Sequence, residues 1–215
     1  MIVYTNPGSE HPDNQRFIAD CEQWFGQKIV QLRSEKFVDT WSVWETTKFL
    51  VSPAGARCTT ELKKRVRYSF ENPDDIQIFG YTAEESHRAE RFKEQNPGVT
   101  LKTPLIERNL NKEDCIALIG RAGIEIPTMY KLGYKNNNCI GCVKGGIGYW
   151  NKIRVDFPDT FERMSKLERT LGNTVLRDDN GPLWLDELDP SRGNANAEPN
   201  FECSLLCVIA EQEMQ

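Results

Sequence analysis

Residues 76–104 read IQIFGYTAEESHRAERFKEQNPGVTLKTP, and this stretch contains a strand, a helix and a second strand in succession. The apolar run at 76–80 is typical of a buried strand, residues 84–95 are predicted to be helical, and a further strand is predicted at 99–104. Strands that alternate with helices in this way indicate βαβ units, in which the strands are parallel. The stretch therefore predicts an α/β fold.

The same alternation extends on both sides of this unit. Strands are predicted at 2–4 and 28–32, and helices at about 13–25, 38–50, 59–70, 113–122 and 158–171. We therefore expect an α/β core at 1–135 with a mainly parallel sheet flanked by helices. Residues 136–215 form a cysteine-bearing C-terminal extension packed on the same domain. The predicted core side chains on the first two helices are Phe17, Ile18, Cys21, Trp24, Phe25, Trp41, Trp44 and Phe49.

The bulk composition excludes several classes of protein. The chain has 215 residues, with 27 Lys and Arg against 32 Asp and Glu, a formal net charge of −5. A chain of this charge has no global basic field, so nucleic-acid binding is not expected, although it stays open. No apolar run approaches the ~18 residues of a membrane span. The first residues do not resemble a signal peptide, so we expect a cytoplasmic protein.

Seven cysteines are many for a cytoplasmic chain, and they point to metal binding or redox chemistry, because disulfides are disfavoured there. Cys139 and Cys142 form a Cys-x-x-Cys pair, and Cys58 stands where a helix is predicted to begin, which favours its thiolate. Cys203 and Cys207 form a second close pair. Four thiolates suit either a [4Fe–4S] cluster or zinc. The two other cysteines lie on apolar helix stripes and are predicted to be buried small hydrophobes: Cys21 and Cys115.

Four segments, in this order, resemble the phosphoadenosine-phosphosulfate (PAPS) reductase-like family. Residues 4–12 resemble that family's second strand and its Asp-Thr-Gly turn, and residues 80–89 resemble its Gly-x-Arg-x-x-x-Ser-x-x-Arg segment. Residues 126–134 resemble the stretch that ends in Gly-Tyr before a cysteine loop, and Glu202-Cys203 resembles its Glu-Cys-Gly-Leu motif. The chain looks most like the versions carried by tailed phages. The resemblance implies a Rossmann-like fold of the adenine nucleotide alpha hydrolase (HUP) type.

The resemblance also implies a cysteine site. Cluster-containing relatives carry Cys-Cys, about 80 residues and then Cys-x-x-Cys, a pattern suited to [4Fe–4S] ligation. Here 80 residues separate Cys58 from Cys139, but Thr59 replaces the second cysteine of the first pair. The fourth ligand would therefore come from the tail. We predict Cys207, because Cys203 follows Glu202 as the family's catalytic cysteine does. Cys203 would then be the nucleophile, and zinc is the alternative metal.

The activity implied by the resemblance is sulfonucleotide reduction or sulfur transfer. In relatives a tail cysteine attacks the sulfonucleotide sulfur, forms a thiosulfonate and releases the nucleotide. A thioredoxin-like reductant or a partner chain would complete such a cycle. The residues implied to contact an adenine nucleotide are Thr5, Gly8, Gly80, Ser86 and Arg88.

The family's phosphate loop, Ser-x-Ser-Gly-Gly-x-Asp-Ser, has no counterpart in this sequence, and Gly145-Gly146-Ile147-Gly148 is interpreted as flexible loop near the metal. Phosphate binding needs backbone N–H groups at a helix N-terminus, so weak or absent binding of ATP and PAPS is expected. Thr82 also replaces an Arg of relatives. A true short form, a split protein and a misplaced start all remain open. The alternative function is a non-catalytic metal-binding or interaction protein on the same scaffold.

One basic run lies on the predicted Cys58 helix and comprises Lys63, Lys64, Arg65 and Arg67. In a chain of net negative charge we interpret it as a solvated face. The alternative is a contact with an anionic substrate or nucleic acid.

Overall fold

A computed structural model describes residues 1–52 and 55–198 of the chain. Short strands and helices alternate through its first half, as the sequence pattern predicts, so the α/β class is confirmed. The strands are β1 Ile2–Thr5, β2 Ile29–Leu32, β3 Ile76–Ile78, β4 Thr100–Lys102, β5 Leu176–Asp178 and β6 Gly181–Leu183.

Helices fill most of the remaining described chain, and side-chain caps or glycines fix several of their ends. Asp39 and Asn111 each accept a backbone N–H bond at a helix start, and Gly26 and Gly172 adopt the left-handed conformation that ends a helix. The helices are α1 Asn14–Phe25, α2 Thr40–Thr47, α3 Arg57–Thr59, α4 Arg65–Phe70, α5 Ser86–Gln95, α6 Pro104–Glu107, α7 Lys112–Arg121, α8 Thr128–Lys131, α9 Ile147–Asp156 and α10 Pro158–Leu171.

The segment between α3 and α4 is a π-helical turn at Thr60–Lys64, so residues 57–70 form one continuous helical stretch. Glu61 is buried inside this turn, where its carboxylate pairs with Arg57 at 3.0 Å and with Arg65 at 2.9 Å. A buried carboxylate needs such partners, because burial without them is costly. The two ion pairs therefore stabilise the turn that follows Cys58.

The described strands form three separate pairs. β1 pairs in parallel with β2, with Ile2 opposite Ile29, and β3 pairs in parallel with β4, with Ile76 opposite Thr100. β5 and β6 form an antiparallel hairpin. Parallel pairing agrees with the expectation, but the four parallel strands form two two-stranded sheets rather than one continuous sheet among the described residues.

The main apolar core lies among α2, α9, α10 and the β5–β6 hairpin rather than under the parallel strands. Trp44, Trp150 and Ile153 are at most 1% exposed and occupy its centre. A second, smaller cluster consists of Phe37, Val43 and Leu62, and Cys58 packs against both clusters. The core therefore joins residues that the sequence places in the two halves of the chain.

Three apolar side chains predicted to be core are exposed. Trp24 and Phe25 are each 47% exposed and Phe49 is 37% exposed, so their assignment to the core is wrong. All three lie at or beyond the ends of their helices, where the helix has passed the edge of the core, and Leu50 is buried in place of Phe49. Ile18, Cys21, Trp41 and Trp44 are buried as predicted.

Among the described residues, no helix is both long enough and apolar enough to cross a membrane.

Candidate functional site

The Cys-x-x-Cys segment forms a tight turn with both cysteines buried. Gly141, between them, has φ 74°, a conformation that side chains of L residues rarely adopt. A Cβ atom at this position would also lie 2.7 Å from Thr160 Cγ2. Cys139 and Cys142 are 7% and 8% exposed. The turn therefore keeps both cysteine side chains almost out of contact with solvent.

One tyrosine ties the two ends of this turn together. Tyr149 of α9 accepts a hydrogen bond from the N–H of Cys142 at 2.9 Å and donates one to the carbonyl oxygen of Cys139 at 3.3 Å. Burial raises the pKa of Tyr149 far above its ordinary value, so the hydroxyl keeps the proton that it donates. At Gly145 a Cβ would lie 1.9 Å from this ring, so a glycine is required there.

Sequence reasoning missed Tyr149 and the helix that carries it. The interpretation of residues 145–148 as a flexible loop is wrong for Ile147 and Gly148, with which α9 begins. The signal that would have found it is the apolar spacing of Tyr149, Trp150 and Ile153, which share a buried helix face.

A backbone hydrogen bond attaches the cysteine turn to the loop that follows β1. The N–H of Ile140 donates to the carbonyl oxygen of Ser9 at 2.9 Å. The Ser9 hydroxyl accepts from the N–H of Thr40 at 3.0 Å, at the start of α2. Asn137 Nδ2 also donates to Asn14 Oδ1 at 2.8 Å. The cysteine turn, α2 and the carboxyl end of β1 therefore meet at one place.

Cys58 approaches the same region from α3. It is half-buried and packs against the core cluster that contains Cys142. Within 1–52 and 55–198, however, no three His, Cys, Asp or Glu side chains are grouped so that they could hold a metal ion. The donor chemistry of the buried pair fits a metal, but Cys58, Cys139 and Cys142 do not form a complete site by themselves. Cys203 and Cys207 lie outside the described residues.

Glu198 fixes the start of the C-terminal tail beside the cysteine turn. Its carboxylate accepts the backbone N–H groups of Gly146 at 3.1 Å and of Tyr149 at 3.2 Å, and also that of Gly148. A carboxylate at a helix N-terminus is favourable, because the first N–H groups of a helix lack partners within it. Cys203 follows five residues later, a span of at most about 18 Å at ~3.6 Å per residue.

The two remaining described cysteines are outside this region. Cys21 is buried on α1 and Cys115 is half-buried on α7. Burial raises the pKa of both thiols, which disfavours the reactive thiolate. The prediction that these residues are buried is therefore confirmed for Cys21 and is wrong for Cys115, which is only half-buried.

The residues implied to contact a nucleotide do not all lie together. Thr5 and Arg88 line a cavity of about 980 Å³ that borders β1 and β3. Gly8 has φ 74°, and a Cβ there would lie 2.0 Å from the carbonyl oxygen of Val38. Gly80 and Ser86 are exposed and are not among the residues that line this cavity. The structure therefore brings only Thr5 and Arg88 together.

The basic run on the Cys58 helix does not form a solvated face. Lys63, Lys64 and Arg67 are half-buried and line the same cavity as Arg88, and only Arg65 is exposed. The interpretation as a solvent-facing surface is therefore wrong for three of the four side chains. The helix turns them toward β1 and β3, because the opposite face of the stretch packs Leu62 and Val66 into the interior.

Carboxylates accompany most of these cations. Lys63 Nζ lies 3.6 Å from Glu10, and Arg67 Nε lies 3.0 Å from Glu71. Arg88 pairs with Glu85 and stacks over the Tyr81 ring with its guanidinium 4.7 Å from the ring centroid. The cavity is therefore rich in charge of both signs, with its cations held in place by nearby acids and aromatic rings.

The fold and the cysteine turn define an α/β protein with a buried thiol pair at the carboxyl end of its first strand. No family model matches the chain, and no solved structure matches it. It is similar to an uncharacterized protein of Methanocaldococcus jannaschii, with 24% identity over 194 residues. The match covers 86% of this chain and 38% of the archaeal protein, so the chain spans well under half the length of this relative.

Proposed function

We propose that this chain is a PAPS reductase-like iron–sulfur protein that carries out sulfonucleotide reduction or sulfur transfer. The observation that carries the proposal is the hydrogen bond from Ile140 to Ser9, since it places the buried Cys-x-x-Cys turn against the loop after β1. Ligands of open α/β folds bind beyond the carboxyl ends of parallel strands. A thiol site and a substrate site would therefore adjoin here.

The Rossmann-like arrangement is part of the proposal. Two parallel strand pairs flanked by helices support it. In such a sheet the loops after β1 and β3 would lie on the same edge, with Thr5 and Arg88 facing a bound nucleotide. A cytoplasmic location, where a thioredoxin-like protein can serve as reductant, belongs to the same proposal.

The proposed cluster ligands are Cys58, Cys139, Cys142 and Cys207, with zinc as the alternative metal. A bound cluster would supply redox-active iron beside the substrate site. The chain's own groups orient this site: Tyr149 fixes the two ends of the cysteine turn, and Glu198 brings the tail to it. Cys203 is the proposed nucleophile, whose thiolate would attack the substrate sulfur while the nucleotide leaves.

A non-catalytic metal-binding or interaction protein is the second candidate function. The lack of the family's phosphate loop in the sequence favours it, because the glycine-rich N–H groups that the chain does have, at the start of α9, are already bound to Glu198. The pairing of Lys63, Arg67 and Arg88 with glutamates also leaves less positive charge available to an anionic ligand.

Anaerobic purification followed by iron, sulfide and zinc analysis tests the metal proposal. We expect a brown protein with iron and sulfide in equal amounts, and loss of both in Cys58→Ser, Cys139→Ser and Cys142→Ser. The matched control is Cys115→Ser, which removes a half-buried thiol away from the turn. A colourless protein with one zinc per chain would show that the site binds zinc instead of a cluster. A protein that contains neither iron nor zinc would refute both metals.

The same measurement distinguishes the roles of the two tail cysteines as cluster ligand and nucleophile. Cluster loss in Cys207→Ser with retention in Cys203→Ser is the expected result, and the reverse pattern would exchange their roles. Retention in both variants would indicate a three-cysteine site with an open iron position. Release of sulfite from PAPS in the presence of thioredoxin, abolished by Cys203→Ser, is expected of the enzyme and not of the non-catalytic alternative.

A further inference from the structure

Residues 189–198, which we call the strap, lie along α9 and run in the direction opposite to the helix. At the first part of the strap, Asn151 Nδ2 in the middle of α9 donates to the carbonyl oxygen of Arg192 at 2.7 Å. At its last residue, the Glu198 carboxylate accepts the N–H of Gly146, just before the helix starts, at 3.1 Å. The strap therefore covers the first half of α9.

Polar contacts rather than apolar packing hold the strap in place. Leu185 and Leu188, just before it, are at most 3% exposed. Residues 189–198, which the structure describes in full, include no buried side chain and no helix or strand. Segments with few buried apolar contacts open locally at low cost in free energy, while the rest of the protein stays folded. The strap can therefore leave α9 while Leu185 and Leu188 remain in the core.

Glycines on both sides let the strap lie directly against the helix backbone. A Cβ atom at Gly193 would lie 2.5 Å from the backbone nitrogen of Gly148. A Cβ at Gly148 would in turn lie 2.5 Å from the backbone nitrogen of Ala195. Neither position has room for a side chain while the strap is in contact with α9.

Glu198 connects the two segments that flank the cysteine turn. Its carbonyl oxygen accepts a hydrogen bond from Lys135 Nζ, four residues before Cys139. Its carboxylate accepts the N–H of Gly146, four residues after Cys142. Release of Glu198 would therefore free both flanks of the turn at once.

The strap also lies next to the tyrosine that holds the turn. The Glu198 carboxylate accepts the N–H of Tyr149 at 3.2 Å, and the hydroxyl of the same tyrosine bonds to both ends of the turn. Ala195 and Glu198 of the strap line a small cavity together with Tyr149 and with Asn138, the residue before the first cysteine of the turn. Contacts therefore continue from the strap through Tyr149 to the cysteine turn.

We propose that the strap is a cover that controls access to Cys139 and Cys142, and that Glu198 holds it closed. In the closed state, which the structure shows, the two cysteines are 7% and 8% exposed. In the open state the flanks of the turn separate, and a metal ion or another small reagent reaches the thiols. The proposal depends neither on the proposed activity nor on which metal the site binds.

Cysteine labelling of the full chain, treated with a chelator, tests the cover directly. Iodoacetamide is the probe, and mass spectrometry measures the rate at each cysteine. We expect Glu198→Gln to label Cys139 and Cys142 at least about tenfold faster, because the neutral amide binds the N–H groups of α9 more weakly than the carboxylate does. Cys21, buried on α1, is the internal reference and should keep its rate.

The matched control for charge is Glu187→Gln. The Glu187 carboxylate is exposed and pairs with Arg169 of α10 rather than with α9. This variant loses the same charge as Glu198→Gln and should label like the original chain. Equal acceleration in both glutamine variants would overturn the proposal, because net charge rather than the strap would then set the rate.

A second pair of variants opens the strap without changing any charge. Gly193→Ala places a methyl group against Gly148, whereas Gly172→Ala meets no atom within 4 Å. The two glycines have similar φ angles, 75° and 68°, so the backbone strain is matched. Only Gly193→Ala should accelerate labelling of the cysteine turn at least about tenfold. Amide exchange should also become faster at the start of α9 and stay unchanged in α10.

Two further results would overturn the proposal. Unchanged labelling of Cys139 and Cys142 in both Glu198→Gln and Gly193→Ala would show that the strap does not restrict access to the turn. Acceleration that includes Cys21 to the same extent would show that the strap opens only when the whole protein unfolds.

Discussion

At the scale of single residues, Tyr149 is the group on which the geometry of the cysteine turn depends most directly. Its hydroxyl bonds to the backbone at both ends of the turn, at Cys139 and at Cys142. The hydroxyl is buried, so its loss would leave a buried N–H and a buried carbonyl without this partner.

We therefore predict that Tyr149→Phe destabilises the protein by about 1–3 kcal/mol and loosens the turn. Urea unfolding measures the stability, and the rate at which Cys139 and Cys142 react with a thiol reagent measures the loosening. Tyr68→Phe is the matched control, because Tyr68 is 47% exposed on α4 and should change neither quantity. Unchanged thiol reactivity in Tyr149→Phe would show that the tyrosine hydroxyl does not hold the cysteine turn in place.

Glu168 is a second buried polar residue, at the far side of the core. Its carboxylate accepts the N–H of Val175 at 2.5 Å and that of Leu185 at 2.9 Å, and thereby connects α10 to the β5–β6 hairpin. Burial nevertheless raises the pKa of Glu168 to about 7 from 4.5, since desolvation outweighs these bonds. The folded protein therefore holds a proton that the unfolded chain releases at lower pH.

This pKa predicts how the stability depends on pH. A raised carboxyl pKa contributes stability that is fully present below about pH 4.5 and is lost as the pH rises to about 7. The loss amounts to about 3 kcal/mol at ~1.4 kcal/mol per unit. Urea unfolding across this range should show the decline in the original chain and in Glu113→Gln, an exposed control, and a flatter profile in Glu168→Gln. Equal slopes in all three proteins would contradict the prediction.

At the scale of elements, α9 depends on glycine at its entrance. Gly145 leaves room for the Tyr149 ring, which a Cβ would approach to 1.9 Å. Gly120, within α7, has no atom within 4 Å of the corresponding Cβ position. The two positions therefore form a matched pair, one crowded and one open.

We predict opposite effects of alanine at these positions. Gly145→Ala should destabilise the protein by more than about 2 kcal/mol, because the ring must move and lose its bonds to the cysteine turn. Gly120→Ala should stabilise it by about 0.4–1 kcal/mol, since alanine restricts the unfolded chain and favours the helix. Thermal unfolding of the two variants measures both changes. Similar melting temperatures for the two would contradict the close packing at Gly145.

At the scale of the whole molecule, the binding of nucleotides depends on groups from several elements. The glycine-rich N–H groups at the start of α9 are already bound to the Glu198 carboxylate, and Lys63, Arg67 and Arg88 are already paired with glutamates. We predict weak or absent binding of ATP and PAPS by the chain alone, as measured by calorimetric titration. Micromolar affinity would mean that another segment forms the phosphate site. Loss of that affinity in Arg88→Gln would then place it in the cavity.

The sequence by itself determined the α/β class, most of the strands and helices, and the burial of Ile18, Trp41 and Trp44. These features follow from local periodicity and capping, which act over a few neighbouring residues. Local patterns also identified the Cys-x-x-Cys turn, because two thiols at this spacing and an intervening glycine are a short-range signal. They did not show where each helix passes beyond the core, so Trp24, Phe25 and Phe49 were misassigned.

Only the tertiary structure decided which distant segments meet. Ile140 bonds to Ser9 and Glu198 bonds to the start of α9 across more than 45 residues, and no local pattern encodes such contacts. The same applies to Lys63 and Arg67, which periodicity alone left on a surface and which line a cavity because the packing of Leu62 fixes the rotation of their helix. Within residues 1–52 and 55–198, the pairing of β1 with β2 and of β3 with β4 in two separate sheets also emerged only there, since strand pairing is a property of the assembled sheet.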